Sequence, residues 1–482
     1  MANNRNNIKE NIDLISIISI IILVILVIFM GYSQIMLRNH FYSLDPYYHF
    51  KLSQDSINTG NIKNIISSCI SENQGEYPSL LRVITPVLSL VSGLNLLEIY
   101  RFFGLFCIAI LLTSIFVLLR KDYGTKAVYF IPLSFGMGYL IWRSLITYPE
   151  NLSLIFLIWI LIYGVRIGSP YLLIIFSSAL IFTHPPTFFI APLILISLGL
   201  FKRYKFSALK KNLLILLATA ILIIPLYPTI IYKVSNYINL HSVFSSLFGN
   251  SQDISNYEFD LSRYKSLEFR DYTNFIGLPL IIFGLLGFVL SIKNKDKTNL
   301  SIGLLLLFFL FLSTGFFGIF YFPFYRTISY ISIFLVLTGS FYLVKIKGII
   351  RSKKLIILLI FVILLSGLIL AINLKGSNNV SEEEIGLLST LRFINGTILS
   401  ESIIVQSFGD HNVECDPRST KKILTSIDEE DLTNNLKDYN PPYYLYVRNV
   451  DLDGLEQIIT SKLNIINQTK DSTLYVINLK NE

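Results

Sequence analysis

Phe102-Phe103-Gly104-Leu105-Phe106-Cys107-Ile108-Ala109-Ile110-Leu111-Leu112-Thr113-Ser114-Ile115-Phe116-Val117-Leu118-Leu119 runs without a charge and ends on Arg120-Lys121. As a helix that stretch is about 27 Å long, close to the thickness of a bilayer's hydrocarbon core. It lies within a predicted crossing at 97–119, and the same pattern recurs along the chain. Further crossings are predicted at 12–31, 127–143, 151–166, 170–183, 186–201, 212–232, 274–292, 299–321, 327–344 and 355–373. The count is about eleven. The short run 80–91 suits a helix at the membrane interface or packed on the bundle.

Composition agrees with this pattern. Of 482 residues 53% are hydrophobic and only 15% charged, against about 25% charged in ordinary soluble domains. Mean hydropathy is +0.59. Such apolar content excludes intrinsic disorder. The net charge of +8 belongs mainly to loops between spans and argues for no nucleic-acid partner. Cys69, Cys107 and Cys415 have neither metal-ligand spacing nor a disulfide pattern.

Charge also sets the expected orientation. Alternate loops hold Arg120, Lys121 and Lys126; Arg166; Lys202, Arg203, Lys205, Lys210 and Lys211; Lys293, Lys295 and Lys297; and Lys345, Lys347, Arg351, Lys353 and Lys354. Cations collect on the cytoplasmic side. The N-terminus is therefore expected inside. The first outer loop 32–95, the turn 144–150, the late loop 233–273 and the C-terminal tail are expected outside a cell membrane. From Gly376 the composition turns polar, with β-branched or apolar runs at 403–406, 443–447 and 473–477. Helix-like stretches lie at 381–393 and 452–463. Residues 376–482 are read as a small extracytoplasmic α/β domain, and 1–375 as an α-helical polytopic membrane domain.

The span interiors are nearly free of ionisable side chains, whereas transporters place them near the bilayer midplane. Here they gather at the expected outer rim: Asp45, His49, Glu150, Glu268, Arg270, Asp271 and Arg326. That position suits a substrate with a lipid tail in the bilayer and a polar head outside it. Ser43-Leu44-Asp45-Pro46-Tyr47-Tyr48-His49 follows the first span. Pro46 biases Asp45 toward extended backbone, although Asp-Pro also opens ordinary turns. Glu150 can act chemically or simply cap the helix after it. His184, before Pro185-Pro186, is read as structural.

The order of features resembles the GT-C superfamily of polyprenol-dependent glycosyltransferases. It comprises a first span, Asp45-Pro46-Tyr47-Tyr48-His49, Tyr77-Pro78, the basic loop Arg120–Lys126, and the acidic turn Thr147-Tyr148-Pro149-Glu150-Asn151. Within that superfamily it looks closest to catalytic subunits of archaeal and bacterial oligosaccharyltransferases. The resemblance covers about residues 12–375. It implies a GT-C-like fold and transfer of a sugar or glycan from a polyprenyl (dolichyl-type) phosphate or pyrophosphate carrier. The acceptor would be a protein, lipid or glycan on the outer side.

The resemblance assigns a catalytic place to Asp45, a second acidic place to Glu150 and a late-loop place to Glu268; His49, the last residue of the first motif, is a further catalytic candidate. It gives Arg326 to the donor phosphate. Mg²⁺ or Mn²⁺ held by Asp45, Glu150 and Glu268 suits such a donor set. A carboxylate in reach of the acceptor can take its proton, and arginine offers a planar fork to phosphate oxygens.

One family feature is missing. The tryptophan-rich WWDYG motif that reads the Asn-x-Ser/Thr acceptor would fall near Val405–His411, and no tryptophan is there. The alternatives are an oligosaccharyltransferase with a divergent acceptor site, a transporter or flippase of lipid-linked glycans, and a noncatalytic assembly subunit. Asn395-Gly396-Thr397 and Asn467-Gln468-Thr469 match the N-glycosylation acceptor pattern.

Overall fold

The structure is a computed structural model. It describes residues 14–36, 49–50, 53–54, 57, 80–137, 140–141, 149–162, 169–201, 206–223, 269–313, 324–346, parts of 358–369, 382–400, 413–414, 429–437, 439–448, 462–470 and 472–478. The chain divides into two compact units. One comprises Met1–Ser33, Ile66–Leu81 and Phe103–Lys375; the other comprises Gln34–Ile65, Arg82–Phe102 and Gly376–Glu482. The chain is mostly helical with one small sheet.

The helices begin with α1 (Leu14–Met36), α2 (Leu81–Ser92) and α3 (Leu96–Tyr123). They continue with α4 (Pro149–Trp159), α5 (Pro170–Thr183), α6 (Ile190–Phe201), α7 (Phe206–Ile223), α8 (Leu278–Lys293), α9 (Lys297–Ser313) and α10 (Phe324–Ile346). Two described helical stretches, Leu96–Ser134 and Thr327–Ile346, are long and apolar enough to cross a membrane. The apolar helices Pro149–Ile162, Pro170–Thr183, Leu278–Lys293 and Lys297–Ser313 are shorter.

Two predicted crossings are broken rather than continuous. Over 127–143 the chain makes a 3₁₀ turn at Gly124–Tyr129, then a short helix Phe130–Phe135. Over 274–292 a helix Phe269–Phe275 stops before α8, with Gly277 extended at the α8 N-cap and Pro279 following. The Gly277 N–H donates to the Gly136 carbonyl at 3.1 Å, so the two breaks meet and satisfy one another's backbone.

In the first unit α8 and α9 pack on α10, α4 and α7 pack on α5, and α6 packs on α9. Over Thr327–Ile346, 94% of the apolar window is buried, making α10 the axial helix of this packing. Small residues let it be so. A Cβ on Gly287 would fall on the Thr338 carbonyl of α10, and one on Gly303 would fall on the Phe288 ring. Close backbone approach through small residues is the packing mode of helices in an apolar solvent.

Buried hydroxyls fold back on their own helices. Ser332 Oγ donates to Ile328 O at 2.8 Å and Thr338 Oγ1 to Phe334 O at 3.0 Å. The outward faces are apolar: Leu278, Ile282, Leu285, Val289 and Ile292 on α8, and Leu214, Leu217 and Ile221 on α7, are exposed at helical spacing.

The turn between α8 and α9 closes as a Schellman motif. Asp296 N–H donates to Ser291 O at 2.9 Å and Lys295 N–H to Ile292 O at 3.1 Å. Lys295 occupies the left-handed position at φ 52° where glycine is usual. Asp296 Oδ1 then caps α9 by accepting from the Thr298 and Asn299 N–H groups, both at 3.1 Å.

The sheet is built from β1 (Thr397–Leu399), β2 (Val413–Glu414), β3 (Tyr443–Arg448), β4 (Leu463–Gln468) and β5 (Ser472–Ile477), in the order β2-β1-β3-β5-β4. β1 pairs in parallel with β2 and β3, whereas β5 runs antiparallel to β3 and β4. Helices α11 (Glu382–Thr390) and α12 (Glu429–Leu436) accompany it. Leu432 and Leu436 of α12 pack with Leu399, Leu445 and Val447 from the strands.

Strands form where the apolar runs at 443–447 and 473–477 predict them. The run at 403–406 lies outside the described residues, as does all but the end of the helix-like stretch 452–463. Leu463, the end of that stretch, opens β4 and is not helical. The Thr469-to-Ser472 turn sets the antiparallel β4–β5 pair, with Thr469 N–H donating to Ser472 O at 2.8 Å.

Glu384 of α11 is wholly buried. Its Oε1 accepts from Tyr446 O–H at 2.6 Å and Arg448 Nε at 2.8 Å, and its Oε2 accepts from Arg448 Nη2 at 2.9 Å. Burial, with the Glu384 carboxylate beside it, pushes the Tyr446 phenol above its ordinary range. Removing one partner of a buried pair strands the other, at about 3–5 kcal/mol. Glu384→Ala is expected to destabilise its unit by about that much. Denaturant unfolding followed at the C-terminal tyrosines checks it. In the first unit, Gly287→Val is expected to force α8 from α10 and lower the unfolding temperature of the full chain by several degrees, as an overpacking change of about 1–3 kcal/mol does.

Candidate functional site

Pro149 occupies the first turn of α4, where its missing N–H costs nothing. Glu150 follows it in that turn, the place where the helix dipole favours an acid. Both Glu150 and Asn151 are buried, at 3% and 2% exposure. A cluster of polar side chains lies against the backbone of this turn. Ser153 Oγ donates to the Glu150 main-chain oxygen at 2.6 Å and to Thr187 Oγ1 at 3.1 Å.

Thr187 sits just past the break between α5 and α6. His184 ends α5 with φ −156° and ψ 89°, a conformation suited to the residue before a proline. Pro185 then opens a one-turn helix, Pro185–Phe188, and the Thr187 N–H donates to His184 O at 3.0 Å. This turn brings His184 and Thr187 together where Tyr330 of α10 meets them. Thr187 Oγ1 lies 2.6 Å from His184 Nδ1 and 2.8 Å from the Tyr330 hydroxyl. Ser153, His184, Thr187 and Tyr330 are all buried.

Tyr330 belongs to α10, where its ring packs 5.1 Å from that of Phe309. Arg326 lies four residues earlier, in the first turn of α10, so positions 326 and 330 share a helix face. The Arg326 side chain lies outside the described residues. Hydrogen bonds therefore connect the turn that carries Glu150 to the second turn of the helix that begins beside Arg326.

His49 lies in the other unit. It is half-buried, and Arg82 Nε donates to its Nδ1 at 3.2 Å. Its main-chain oxygen accepts from the Tyr100 hydroxyl at 2.9 Å, and that hydroxyl is also 2.7 Å from Ser53 Oγ. An arginine donor at Nδ1 requires the lone pair there, so the neutral ring carries its proton on Nε2. Burial, and then the Arg82 charge, hold the His49 pKa well below its ordinary 6.5. His49 in this setting is a neutral hydrogen-bonding group whose Nδ1 is already engaged.

Asp45 and Glu268 lie outside the described residues. Of the three carboxylates proposed for Mg²⁺ or Mn²⁺, only Glu150 is therefore placed. Among the described residues no group of three or more His, Cys, Asp or Glu side chains is arranged to hold a metal. Asn395 and Asn467 are exposed, the latter on the edge strand β4. The threonines of both acceptor patterns are engaged by the fold: Thr397 Oγ1 donates to Asn440 O at 2.9 Å and Thr469 Oγ1 to Ser472 O at 3.2 Å.

Ser153, Thr187 and Tyr330 carried no sequence signal, because isolated hydroxyl residues are common in apolar helices. The single available hint was His184-Pro185-Pro186, where an imidazole precedes a helix break inside an apolar region.

No family model and no curated protein matches the chain.

The depressed pKa of His49 has a signed consequence. The folded state resists protonating a ring that the unfolded chain protonates near pH 6.5, so stability is full above that value and falls as pH drops below it. Thermal unfolding of the full chain in detergent, compared between about pH 7.5 and about pH 5.5, is expected to show this loss, and His49→Gln to reduce it. An identical pH slope in the variant contradicts the assignment.

Proposed function

We propose that the chain is a polytopic membrane glycosyltransferase of GT-C-like architecture. In this reading about eleven helices cross a cell membrane, the N-terminus is cytoplasmic and residues 376–482 are extracytoplasmic. The enzyme moves a sugar or glycan from a polyprenyl phosphate or pyrophosphate carrier to an acceptor on the outer side.

The observation that carries the reading is the buried polar linkage between two helix starts. One start bears Glu150 and the other Arg326, and Ser153, Thr187 and Tyr330 join them. An acid and a phosphate-binding cation are the two groups that glycosyl transfer from a lipid phosphate needs most. The motif order around Asp45 and Glu150 and the exposed apolar faces of α7 and α8 add support. Outward Leu, Ile and Val at helical spacing suit lipid contact.

The chemistry assigned to the residues is simple. Asp45, supported by Glu150 and Glu268, accepts the proton of the attacking acceptor group. Arg326 offers two parallel N–H donors to the departing phosphate and stabilises the charge that grows on it. The carrier's tail stays in the bilayer while its head reaches the outer rim.

The full chain in lipid nanodiscs is to be given a labelled polyprenyl pyrophosphate-linked oligosaccharide with an Asn-x-Thr peptide or with a membrane-lipid extract. Wild type is expected to form a new glycosidic product with one of them. Asp45→Ala is expected to lower transfer by about 10²-fold or more, and Glu150→Gln by less. Arg326→Ala is expected to lower transfer by about 10²-fold, as loss of a charge-stabilising donor does. Undiminished transfer by Asp45→Ala overturns the catalytic assignment. Product on the peptide identifies an oligosaccharyltransferase with a divergent acceptor site. Movement of labelled lipid across the bilayer without a glycosidic product overturns the enzyme reading in favour of a flippase.

A further inference from the structure

A threonine hydroxyl has one hydrogen and two lone pairs, so it makes three hydrogen bonds and donates only one of them. Thr187 Oγ1 has three side-chain partners, Ser153, His184 and Tyr330, and is thereby saturated. Ser153 is a donor, sharing its hydrogen between Thr187 and the Glu150 carbonyl.

The one Thr187 hydrogen must then go to His184 or to Tyr330. If it goes to His184 Nδ1, the Tyr330 hydroxyl donates to Thr187 and the neutral ring carries its proton on Nε2. If it goes to the Tyr330 oxygen, His184 carries its proton on Nδ1 and Nε2 becomes the basic nitrogen. The two arrangements exchange the roles of both partners at once.

Most buried hydroxyls in this unit return to a carbonyl of their own helix, as Ser332, Thr338 and Ser301 do. Thr187 instead shares its hydroxyl with side chains of two other helices, Ser153 of α4 and Tyr330 of α10, and with His184 at the cap of its own turn. Its surroundings are apolar and such networks are high-stakes, because a partly satisfied one is worse than none. Packing alone would be better served by an apolar side chain.

We propose that Thr187 is a positioning residue that ties the tautomer of His184 to the orientation of the Tyr330 hydroxyl, so that the basic nitrogen of His184 beside the Glu150 turn changes only together with that hydroxyl. The role in catalysis rests on the glycosyl-transfer reading above, whereas the tautomer coupling stands on its own.

The test uses the full chain, labelled with ¹⁵N-histidine, in nanodiscs. Its five histidines are few enough to resolve, and His184→Gln identifies the relevant signal. Thr187→Val and Tyr330→Phe are expected to shift the His184 Nδ1 and Nε2 signals, while Thr187→Ser leaves them as in wild type. In the transfer assay, Thr187→Val is expected to lower kcat by about tenfold or more, as misplacement of a catalytic group does, with KM for the donor little changed. Thr187→Ser is expected to restore it.

Wild-type ¹⁵N signals in both Thr187→Val and Tyr330→Phe overturn the coupling. Shifted signals with an unchanged kcat overturn the positioning role. Shifted signals in a chain whose wild type forms no glycosidic product support the coupling and overturn the glycosyl-transfer reading instead. Should Thr187→Val fail to fold, Tyr330→Phe reads the same coupling from the other side.

Discussion

The first unit depends on how closely two helices come together. At Gly287 the backbone of α8 meets the carbonyl of Thr338 on α10, and even one added carbon has no room. With α9 packed on its other flank, α10 is almost entirely enclosed. Leucine and isoleucine cannot drive such enclosure if the surroundings are as apolar as they are. What remains is dispersion between well-fitted surfaces and the satisfaction of polar groups inside. Glycine, serine and threonine accordingly lie within among buried leucine and isoleucine, while the outward faces of α7 and α8 are leucine, isoleucine and valine.

The same constraint governs where polar chemistry can sit. Along the helix interiors most of the described hydroxyls bond to a carbonyl one turn away, as Ser301, Ser332 and Thr338 do. Where helices start or break, the backbone leaves space for several polar side chains of different segments to converge. The start of α4 and the break at His184 offer that space, and the second turn of α10 faces it through Tyr330. The imidazole of His184 and the phenol of Tyr330 meet there on the Thr187 hydroxyl, beside the turn that carries Glu150.

Much of the helical layout was legible because an apolar run needs no context to be recognised, and proline marks several starts. Pro149, Pro170 and Pro185 each stand at or beside the first residue of a helix. The breaks were less legible. Gly136 and Gly277 interrupt two expected crossings by bonding to each other across 141 residues of chain, which no local window can register. β4 was not legible as a strand, and its first residue alone falls in an expected helix-like stretch, because its strand identity comes from pairing with β5 and not from its own sequence. At the site, Glu150 and Arg326 stood out by charge in an uncharged background. Thr187 and Tyr330 did not, since a hydroxyl's importance depends on which segments surround it. His49 stood out by type, but its setting against Arg82 gives it a neutral, already engaged ring.

Glu384, Tyr446 and Arg448 in the second unit carry a different kind of consequence. Sixty-odd residues separate the acid from its two donors, yet each is tolerable only in the presence of the others. Sequence drift at one of these positions meets a barrier that simultaneous drift does not. Replacing the charged pair together by apolar side chains of similar volume can be nearly neutral, since the desolvation of two charges is avoided along with their attraction. Descendants of this chain should therefore either keep Glu384 and Arg448 as a couple or lose both, and a sequence retaining one without the other would be expected to have rebuilt the packing between α11 and β3.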